Sequence, residues 1–262
     1  EANAQRFLRP TSLAELLAVR AAHPEAELVC GATEIGVYVN KHDRRYAMLV
    51  STEGVTELRR VTRTDEAFVV GGAATLTELE DAIGAELPEL KKMLLAFASR
   101  QVRNRASLAG NLVTASPIGD MAPVLLALGA TITLASPRGE RTLPLEGFFV
   151  GYRKTVLAPD ELVRAVTIPR PARPAAGAGV NGRRVADSFK VSKRREMDIS
   201  IVAAGFAIEL DEAGLVTSAR LAYGGVAATP VLATKASAAL VGRPWNAETV
   251  RDVAAVLREE FT

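Results

Sequence analysis

The chain has 262 residues, of which 48% are hydrophobic, 24% charged and 5% aromatic, and its formal net charge is +2. These fractions are typical of a folded globular protein and exclude extensive disorder. No apolar run approaches the roughly 20 residues that cross a bilayer, and no secretory signal pattern is visible. The balanced charge does not favour a nucleic-acid partner. We therefore expect one or two globular domains, with neither a membrane span nor a nucleic-acid surface.

Metal ligands are scarce in this sequence. Cys30 is the single cysteine, and His23 and His42 are the only histidines. One thiol can form neither a disulfide within the chain nor a cysteine-held iron–sulfur cluster, so we expect no metal site. A single cysteine is compatible with a reducing compartment, and we expect a cytoplasmic location.

Helix and strand patterns alternate over the first 50 residues. Ser12 and Glu15 have the spacing of a capping box and predict a helix over 12–22. The segments that follow are predicted as a strand over 27–30, a helix over 34–41 and a strand over 47–50.

The next hundred residues carry clear helix-start signals. Thr75 and Glu78 repeat the capping-box spacing and predict a helix over 76–83, and Pro88 suits the first turn of the next helix. Asp120 is predicted to be the N-cap of a helix that ends at Gly129. The predicted strands of this region are 67–70, 130–135 and 162–168.

Proline and glycine dominate residues 169–183, where periodicity is lost. This composition predicts a linker or mobile loop over 171–186 that separates a domain over 1–170 from a smaller one over 187–262. In the second domain the predicted elements are strands over 188–191, 199–210 and 215–223, a hairpin turn over 211–214, and helices over 232–241 and 247–260.

The linker contains a G-x-G-x-x-G match formed by Gly177, Gly179 and Gly182. In dinucleotide-binding proteins that pattern needs a strand directly before it and a helix directly after it. Here a proline-rich tract precedes the glycines and a predicted strand follows. We therefore do not assign phosphate binding to this match.

Two other segments have the composition of cofactor loops. Residues 28–35 form a strand, a turn of small residues and a helix start, where free amides could hold a pyrophosphate; the alternative is an ordinary strand-to-helix connection. Residues 106–120, predicted as a long irregular stretch, offer three hydroxyls, an amide and a carboxylate, which suit phosphate, ribitol and ring-edge hydrogen bonds. The alternative for this second segment is a structural loop that caps the next helix through Asp120.

The second segment carries a family resemblance. Residues 97–111 and 116–120 resemble the flavin-binding signature of the molybdenum hydroxylases, most of all the xanthine dehydrogenase group in its bacterial small-subunit form, and the turn at 31–36 resembles the first FAD loop of that family. Further matching motifs occur at Phe149, Tyr152–Thr155, Phe189–Lys190, Lys193–Arg195 with Asp198–Ile199, and Tyr223–Gly225. The resemblance runs from about Phe7 to the end of the chain.

The resemblance implies an α+β fold with two units. An FAD-binding domain of the vanillyl-alcohol-oxidase (PCMH) type would cover about 1–170, followed by a domain similar to the C-terminal part of carbon monoxide dehydrogenase flavoproteins. Relatives continue somewhat beyond Thr262, and their iron–sulfur domains need eight cysteines. We therefore expect an excised fragment, a proteolysed chain or a flavin subunit made separately, with the second domain cut short.

The resemblance also implies the residues that contact FAD, which is expected to be non-covalent. No side chain is expected to be catalytic, because the flavin is the redox group. The implied contacts are the pyrophosphate turn (Leu28, Val29, Cys30, Gly31, Ala32, Thr33, Glu34, Ile35), Phe97 near the isoalloxazine, the cofactor-lining residues Ala106, Ser107, Gly110, Asn111, Thr114 and Ser116, Asp120 on the ribityl or ring side, Val163 on the adenine side, and Lys190 at the ring edge.

The implied activity is that of an electron-transferring flavoprotein. Electrons from a molybdopterin centre that oxidises a purine would cross two 2Fe-2S clusters, reach FAD and leave to NAD. The iron–sulfur and molybdopterin parts would lie on other chains or segments, so we expect a hetero-oligomer. The alternatives are the flavin subunit of a hydroxylase for carbon monoxide, nicotine or an aldehyde and, from a different class, a scaffold without cofactor.

Overall fold

The computed structural model describes residues 5–170, 183–195 and 197–261. The strands are β1 (Arg6–Leu8), β2 (Glu27–Val29), β3 (Met48–Ser51), β4 (Val61–Arg63), β5 (Ala67–Gly71), β6 (Thr131–Ser136), β7 (Gly139–Pro144), β8 (Phe149–Gly151), β9 (Lys154–Thr155), β10 (Leu162–Pro169), β11 (Arg183–Val191), β12 (Val202–Leu210), β13 (Val216–Gly224) and β14 (Val231–Leu232). The helices are α1 (Leu13–Ala22), α2 (Ile35–His42), α3 (Leu76–Ile83), α4 (Pro88–Ala96), α5 (Arg100–Arg103), α6 (Leu108–Val113), α7 (Met121–Ala127), α8 (Thr234–Leu240) and α9 (Ala247–Glu260). Among the residues so described, none of the helices has the length and apolar character that a bilayer crossing requires.

The two larger sheets of the first 170 residues share a core, and the hairpin β8–β9 forms a third, two-stranded sheet. A parallel sheet has the order β1-β3-β2, and an antiparallel sheet has the order β4-β5-β10-β6-β7. Leu16 of α1 and Val50 of β3 are fully buried and pack in one cluster with Ala135 and Leu162 of the larger sheet. Because apolar side chains leave water on both contacting faces, this cluster holds the small sheet against the large one.

The larger sheet carries its helices on the other side. A second core cluster contains Phe68 of β5, Leu79 of α3, Met93 of α4 and Leu125 of α7, all almost fully buried. The helix faces that build it have apolar residues at three- and four-residue spacing, as a packed helix requires. Ala106, Leu108 and Leu112 of the segment 106–120 belong to this cluster, whereas Leu28 and Cys30 of the segment 28–35 pack against the cluster of the small sheet.

Residues from Arg183 onward form the antiparallel sheet β11-β12-β13-β14. Helices α8 and α9 cover one face of it, and α7 packs on the other. Small residues line the face towards α7: a Cβ at Gly205 would stand only 2.6 Å from the carbonyl oxygen of Pro123. The absence of a side chain at Gly205 therefore allows α7 to lie directly on β12 and to join the two parts of the chain.

Several helix starts predicted from the sequence are confirmed. Ser12 accepts a hydrogen bond from the Glu15 amide at the start of α1, and Thr75 and Glu78 form a complete capping box at α3. Pro88 occupies the first turn of α4. The serine and threonine motifs predict helix starts correctly because their side chains accept hydrogen bonds from helix-end amides only three residues away.

Other predictions need correction. Residues 106–120 are not irregular throughout, because α6 occupies Leu108–Val113, a helix too short and too glycine-rich for its period to show. Asp120 precedes α7 but makes no capping hydrogen bond, because its carboxylate is engaged elsewhere. The strand predicted over 199–210 begins only at Val202. Strand β7 was not predicted, because its exposed and charged residues show no apolar alternation.

The predicted linker lies mostly outside the described residues. Gly177, Gly179 and Gly182, the glycines of the G-x-G-x-x-G match, belong to the segment that is not described. Residues 183–186, at the end of the predicted linker, already form the start of β11.

A buried carboxylate ties the edge strand β7 to the loop before β10. Glu161 receives two hydrogen bonds from Arg141, at 2.6 and 2.7 Å, and one from the Ala158 amide at 2.8 Å. The Arg141 guanidinium holds the pKa of the Glu161 carboxyl below its usual range, although burial opposes the shift. A folded-state pKa below that of the unfolded chain stabilises the fold at every pH above the unfolded value, and this contribution is lost as pH falls through the folded value.

We expect Glu161→Gln to lower the free energy of unfolding at pH 7 by about 1.5–3 kcal/mol, because charge-assisted hydrogen bonds are lost. Chemical denaturation between pH 7 and pH 3 measures the effect. The difference from wild type should begin to shrink below about pH 4, where the carboxyl protonates in the unfolded chain, and should vanish as pH falls through the lower folded-state pKa. Glu212→Gln, in an exposed turn, is the matched control. A difference that stays constant down to pH 3 would contradict the ionic origin.

Candidate functional site

The turn between β2 and α2 presents unpaired backbone donors. Within the described residues, the amides of Ala32, Thr33, Glu34 and Ile35 have no hydrogen-bond acceptor, and we call these four residues the amide turn. Ala32 adopts a left-handed conformation with φ of 55°, which redirects the chain into the helix. Consecutive free amides at a helix start form a site for an anion such as a phosphate group.

The residue before the amide turn lies directly on the second predicted loop. A Cβ at Gly31 would overlap the backbone carbonyl group of Arg105, next to Ala106. Only glycine permits this approach without movement of the backbone. The structure therefore brings together two predicted cofactor loops that are more than seventy residues apart in the chain.

A polar cluster joins the same loops through side chains. The Glu34 carboxylate accepts hydrogen bonds from the Thr114 hydroxyl, from the Tyr38 hydroxyl at 2.9 Å and from the Arg153 guanidinium at 3.3 Å. Burial raises the pKa of the Tyr38 phenol, and its hydrogen bond to Glu34 raises it further, so Tyr38 stays protonated and donates. We call Glu34, Tyr38, Thr114 and Arg153 the Glu34 cluster. Its formation means that the side chain of Glu34, unlike its amide, faces protein partners.

The start of α6, with Ser107, Gly110 and Asn111, forms a second candidate binding surface, which we call the second cradle. Ser107 caps this helix by accepting from the Gly110 amide at 3.1 Å, so its hydroxyl already has a partner. A Cβ at Gly110 would stand 2.9 Å from that hydroxyl oxygen, so Ser107 would have to move to admit a side chain. Asn111 Oδ1 is buried and has no hydrogen-bond partner among the described residues. A buried oxygen without a partner is rare in native structures, and a donor from a bound group would satisfy it.

A buried ion pair connects the two parts of the chain beside this cradle. Lys190 Nζ on β11 lies 2.8 Å from Asp120 Oδ2 and 3.2 Å from the carbonyl oxygen of Ala96. The side chains of Asp120 and Lys190 are only 8% and 6% exposed. The Ser200 hydroxyl also hydrogen-bonds Asp120. Sequence reasoning missed Ser200, because a single serine outside any motif carries no signal of its own.

The other residues predicted to contact FAD differ in how much of their surface is exposed. Phe97 is half-buried at the end of α4, and its carbonyl accepts from Arg103 at 2.8 Å. Ser116 is half-buried and accepts from the Ile118 amide at 3.4 Å. Val29 and Val163 are strand residues with 6% and 7% exposure, so they offer little surface to a ligand, whereas Leu28 and Cys30 are partly exposed. Within the described residues, no cluster of three or more His, Cys, Asp or Glu side chains is arranged to hold a metal ion.

Comparison with known families assigns the chain to a class. Residues 3–171 match the family described as the FAD binding domain in molybdopterin dehydrogenase, and residues 187–262 match the CO dehydrogenase flavoprotein C-terminal domain. The chain therefore belongs to the FAD-binding part of the molybdenum hydroxylases. The free amides, the close approach at Gly31 and the partnerless oxygen of Asn111 fit the binding of this cofactor.

Individual relatives and solved structures match this chain over nearly its whole length. The chain is 36% identical over 97% of its length to a xanthine dehydrogenase/oxidase of Gallus gallus and 36% identical over 98% to a nicotinate hydroxylase of Emericella nidulans. It spans only 19% and 20% of those two proteins. Among solved structures, quinoline 2-oxidoreductase from Pseudomonas putida 86 matches with a TM-score of 0.85 and 26% identity over 97% of this chain and 86% of that one. Reconstituted CO dehydrogenase from Oligotropha carboxidovorans matches with a TM-score of 0.88 and 24% identity, over 98% of this chain and 87% of that one, which supports the fold.

Changes in the second cradle should weaken FAD retention. Asn111→Ala removes the partnerless oxygen, and a lost hydrogen bond to the cofactor costs on the order of 1 kcal/mol, or about fivefold in Kd. Gly110→Val should be worse, because a branched side chain would fill the cradle and displace Ser107. Flavin content after purification and FAD titration of the stripped chain measure both effects.

Asn104→Ala is the matched control for this prediction, because Asn104 is exposed and its side chain hydrogen-bonds only Thr77 among the described residues. It should retain FAD as wild type does. Wild-type flavin content in the Gly110→Val protein would show that the cofactor does not bind at α6.

Proposed function

We propose that this chain holds FAD non-covalently and relays electrons from iron–sulfur clusters and a molybdopterin centre elsewhere in the enzyme to NAD. The observation that carries the cofactor assignment is the close approach of Gly31, next to the amide turn, to the backbone of Arg105 just before α6, which places free donors and a partnerless acceptor on neighbouring loops. A scaffold without cofactor has no need for unsatisfied polar groups on both loops.

Each part of the site has a role in this proposal. The amide turn binds the pyrophosphate, and Asn111 accepts a hydrogen bond from the cofactor beside α6. Asp120 and Lys190 orient the ring side, with Phe97 packed nearby and Val163 on the adenine side. When bound, FAD supplies a carrier that exchanges electron pairs with NAD and single electrons with metal clusters. The chain positions this group and acts as neither acid nor base.

For the substrate of the whole enzyme we propose a purine such as xanthine or hypoxanthine. The similarity to xanthine dehydrogenases over nearly the whole chain supports this choice. A second candidate is a hydroxylase of another nitrogen heterocycle, because the nicotinate hydroxylase of Emericella nidulans is equally similar. In either case the substrate would bind to the molybdenum-containing part.

The proposal also covers the domain organisation, the partners and the cellular location of the protein. We propose a flavin domain over 1–170 and a smaller domain over 187–262, with residues 171–186 as the connection. The partners would be an iron–sulfur unit and a molybdopterin unit in a hetero-oligomer. The single cysteine supports a cytoplasmic location.

The FAD-loaded chain should reduce an artificial dye with NADH and should not do so with xanthine. Arg194→Ala should lower kcat/KM for NADH severalfold, because an exposed positive charge that attracts the anionic coenzyme is lost. Arg251→Ala, on the distant helix α9, is the control and should leave the rate unchanged. Dye reduction driven by xanthine would contradict the proposal that purine oxidation takes place on another part of the enzyme. An FAD-loaded chain that does not react with NADH would favour a hydroxylase that does not use a nicotinamide coenzyme.

The flavin should be released by acid. His23 ends α1, His42 ends α2, and Cys30 hydrogen-bonds the Ala73 carbonyl next to the amide turn, so none of the three lies at the ring side of the proposed site. Precipitation with trichloroacetic acid should leave all the yellow colour in the supernatant, measured by absorbance. Colour that remains in the washed pellet would contradict non-covalent binding.

A further inference from the structure

We infer that Arg153 is a positioning residue for FAD, and that it acts by neutralising Glu34 rather than by touching the phosphates. The inference rests on the proposed function, since it takes the pyrophosphate to bind at the amide turn. Glu34 belongs to that turn, so its carboxylate lies next to the place where two further negative charges would bind. Like charges at such a distance repel unless a cation offsets them.

Arg153 is placed to offset the charge of Glu34. Its Nη1 atom lies 3.3 Å from Glu34 Oε1 and 3.0 Å from the Tyr38 hydroxyl oxygen. The contact joins residues 119 positions apart, so the fold of the hairpin β8–β9 determines it. The next residue, Lys154, forms no ion pair within the described part of the chain. Among the described residues, Arg153 is the cation that forms an ion pair with Glu34.

The backbone of Arg153 supports a functional reason for its position. Arg153 lies at the tip of the hairpin with φ of 53°, in the left-handed region where glycine or asparagine is usual. Any residue with a Cβ atom is strained at such a position, and observed strain of this kind clusters at functional sites. Glycine would ease the backbone but would leave Glu34 uncompensated.

The Glu34 carboxylate also organises the site. It receives the Thr114 hydroxyl and so links the amide turn to the end of α6. A carboxylate that is needed for this link brings an unwanted charge to a phosphate site. Arg153, which lies outside the amide turn, offsets the charge of Glu34 and does not occupy the backbone amides. The amides therefore remain free for the phosphate groups.

A double-mutant cycle on the FAD-free chain tests this role. The variants are Arg153→Gly, Arg153→Lys, Glu34→Gln and the Arg153→Gly/Glu34→Gln pair, with Lys154→Ala as a control that removes one charge from the same hairpin. FAD affinity is measured by fluorescence titration at low and high salt, and thermal unfolding of the FAD-free chain is measured in parallel.

We expect Arg153→Gly to raise the Kd for FAD about fivefold, as for loss of one exposed ion pair, with no fall in thermal stability. Arg153→Lys should recover most of the affinity, and high salt should shrink the difference. In the Glu34→Gln background, Arg153→Gly should change the Kd less than twofold, because no carboxylate remains to neutralise. Lys154→Ala should match wild type.

Two results would overturn the inference and leave FAD binding intact. One is a wild-type Kd in Arg153→Gly. The other is an equal loss of affinity in both backgrounds, which would mean that Arg153 contacts the phosphates directly. A wild-type chain that binds no FAD would overturn the proposed function and this inference with it.

Discussion

The close approach of Gly31 to the Arg105 carbonyl governs the architecture of the site. Because Gly31 has no side chain, the turn after β2 lies directly against the backbone that precedes α6. This contact fixes the two loops relative to each other. Among the described residues, the amides that follow Gly31 have no hydrogen-bond acceptor. A larger residue at position 31 would push the two loops apart and disrupt the site that they form. The sheets of the first 170 residues could still form.

The buried pair of Asp120 and Lys190 performs a similar task for the two parts of the chain. Taking both charges out of water is unfavourable unless they meet with good geometry and further hydrogen bonds. Ser200 and the Ala96 carbonyl supply those bonds, and each comes from a different element. The pair therefore forms only when β11 and α7 are correctly packed, and packing of α7 on β12 depends in turn on Gly205. Under the proposed function, the packing that joins the two parts of the chain would also complete the ring side of the flavin site.

Much of the local structure could be predicted from short-range patterns. The capping residues Ser12 and Thr75 and the first-turn Pro88 mark helix starts within four residues, where the interaction that stabilises the element is itself local. The failures have an equally physical cause. Helix α6 is too short to show a period, and Asp120 looks like a helix cap until Lys190, seventy residues later, is brought beside it.

The sequence by itself determined the class of protein, because a family resemblance depends on residues in order along the chain and the flavin motifs of residues 97–120 preserve that order. It also determined which loops have the composition of cofactor loops. Only the tertiary structure decided that Glu34 faces Thr114 and Arg153 rather than the ligand, that Asn111 Oδ1 has no protein partner, and that Ser200 supports Asp120. These facts depend on contacts between residues about eighty or more positions apart, and on which groups packing leaves unsatisfied, and neither leaves a local signature in the chain.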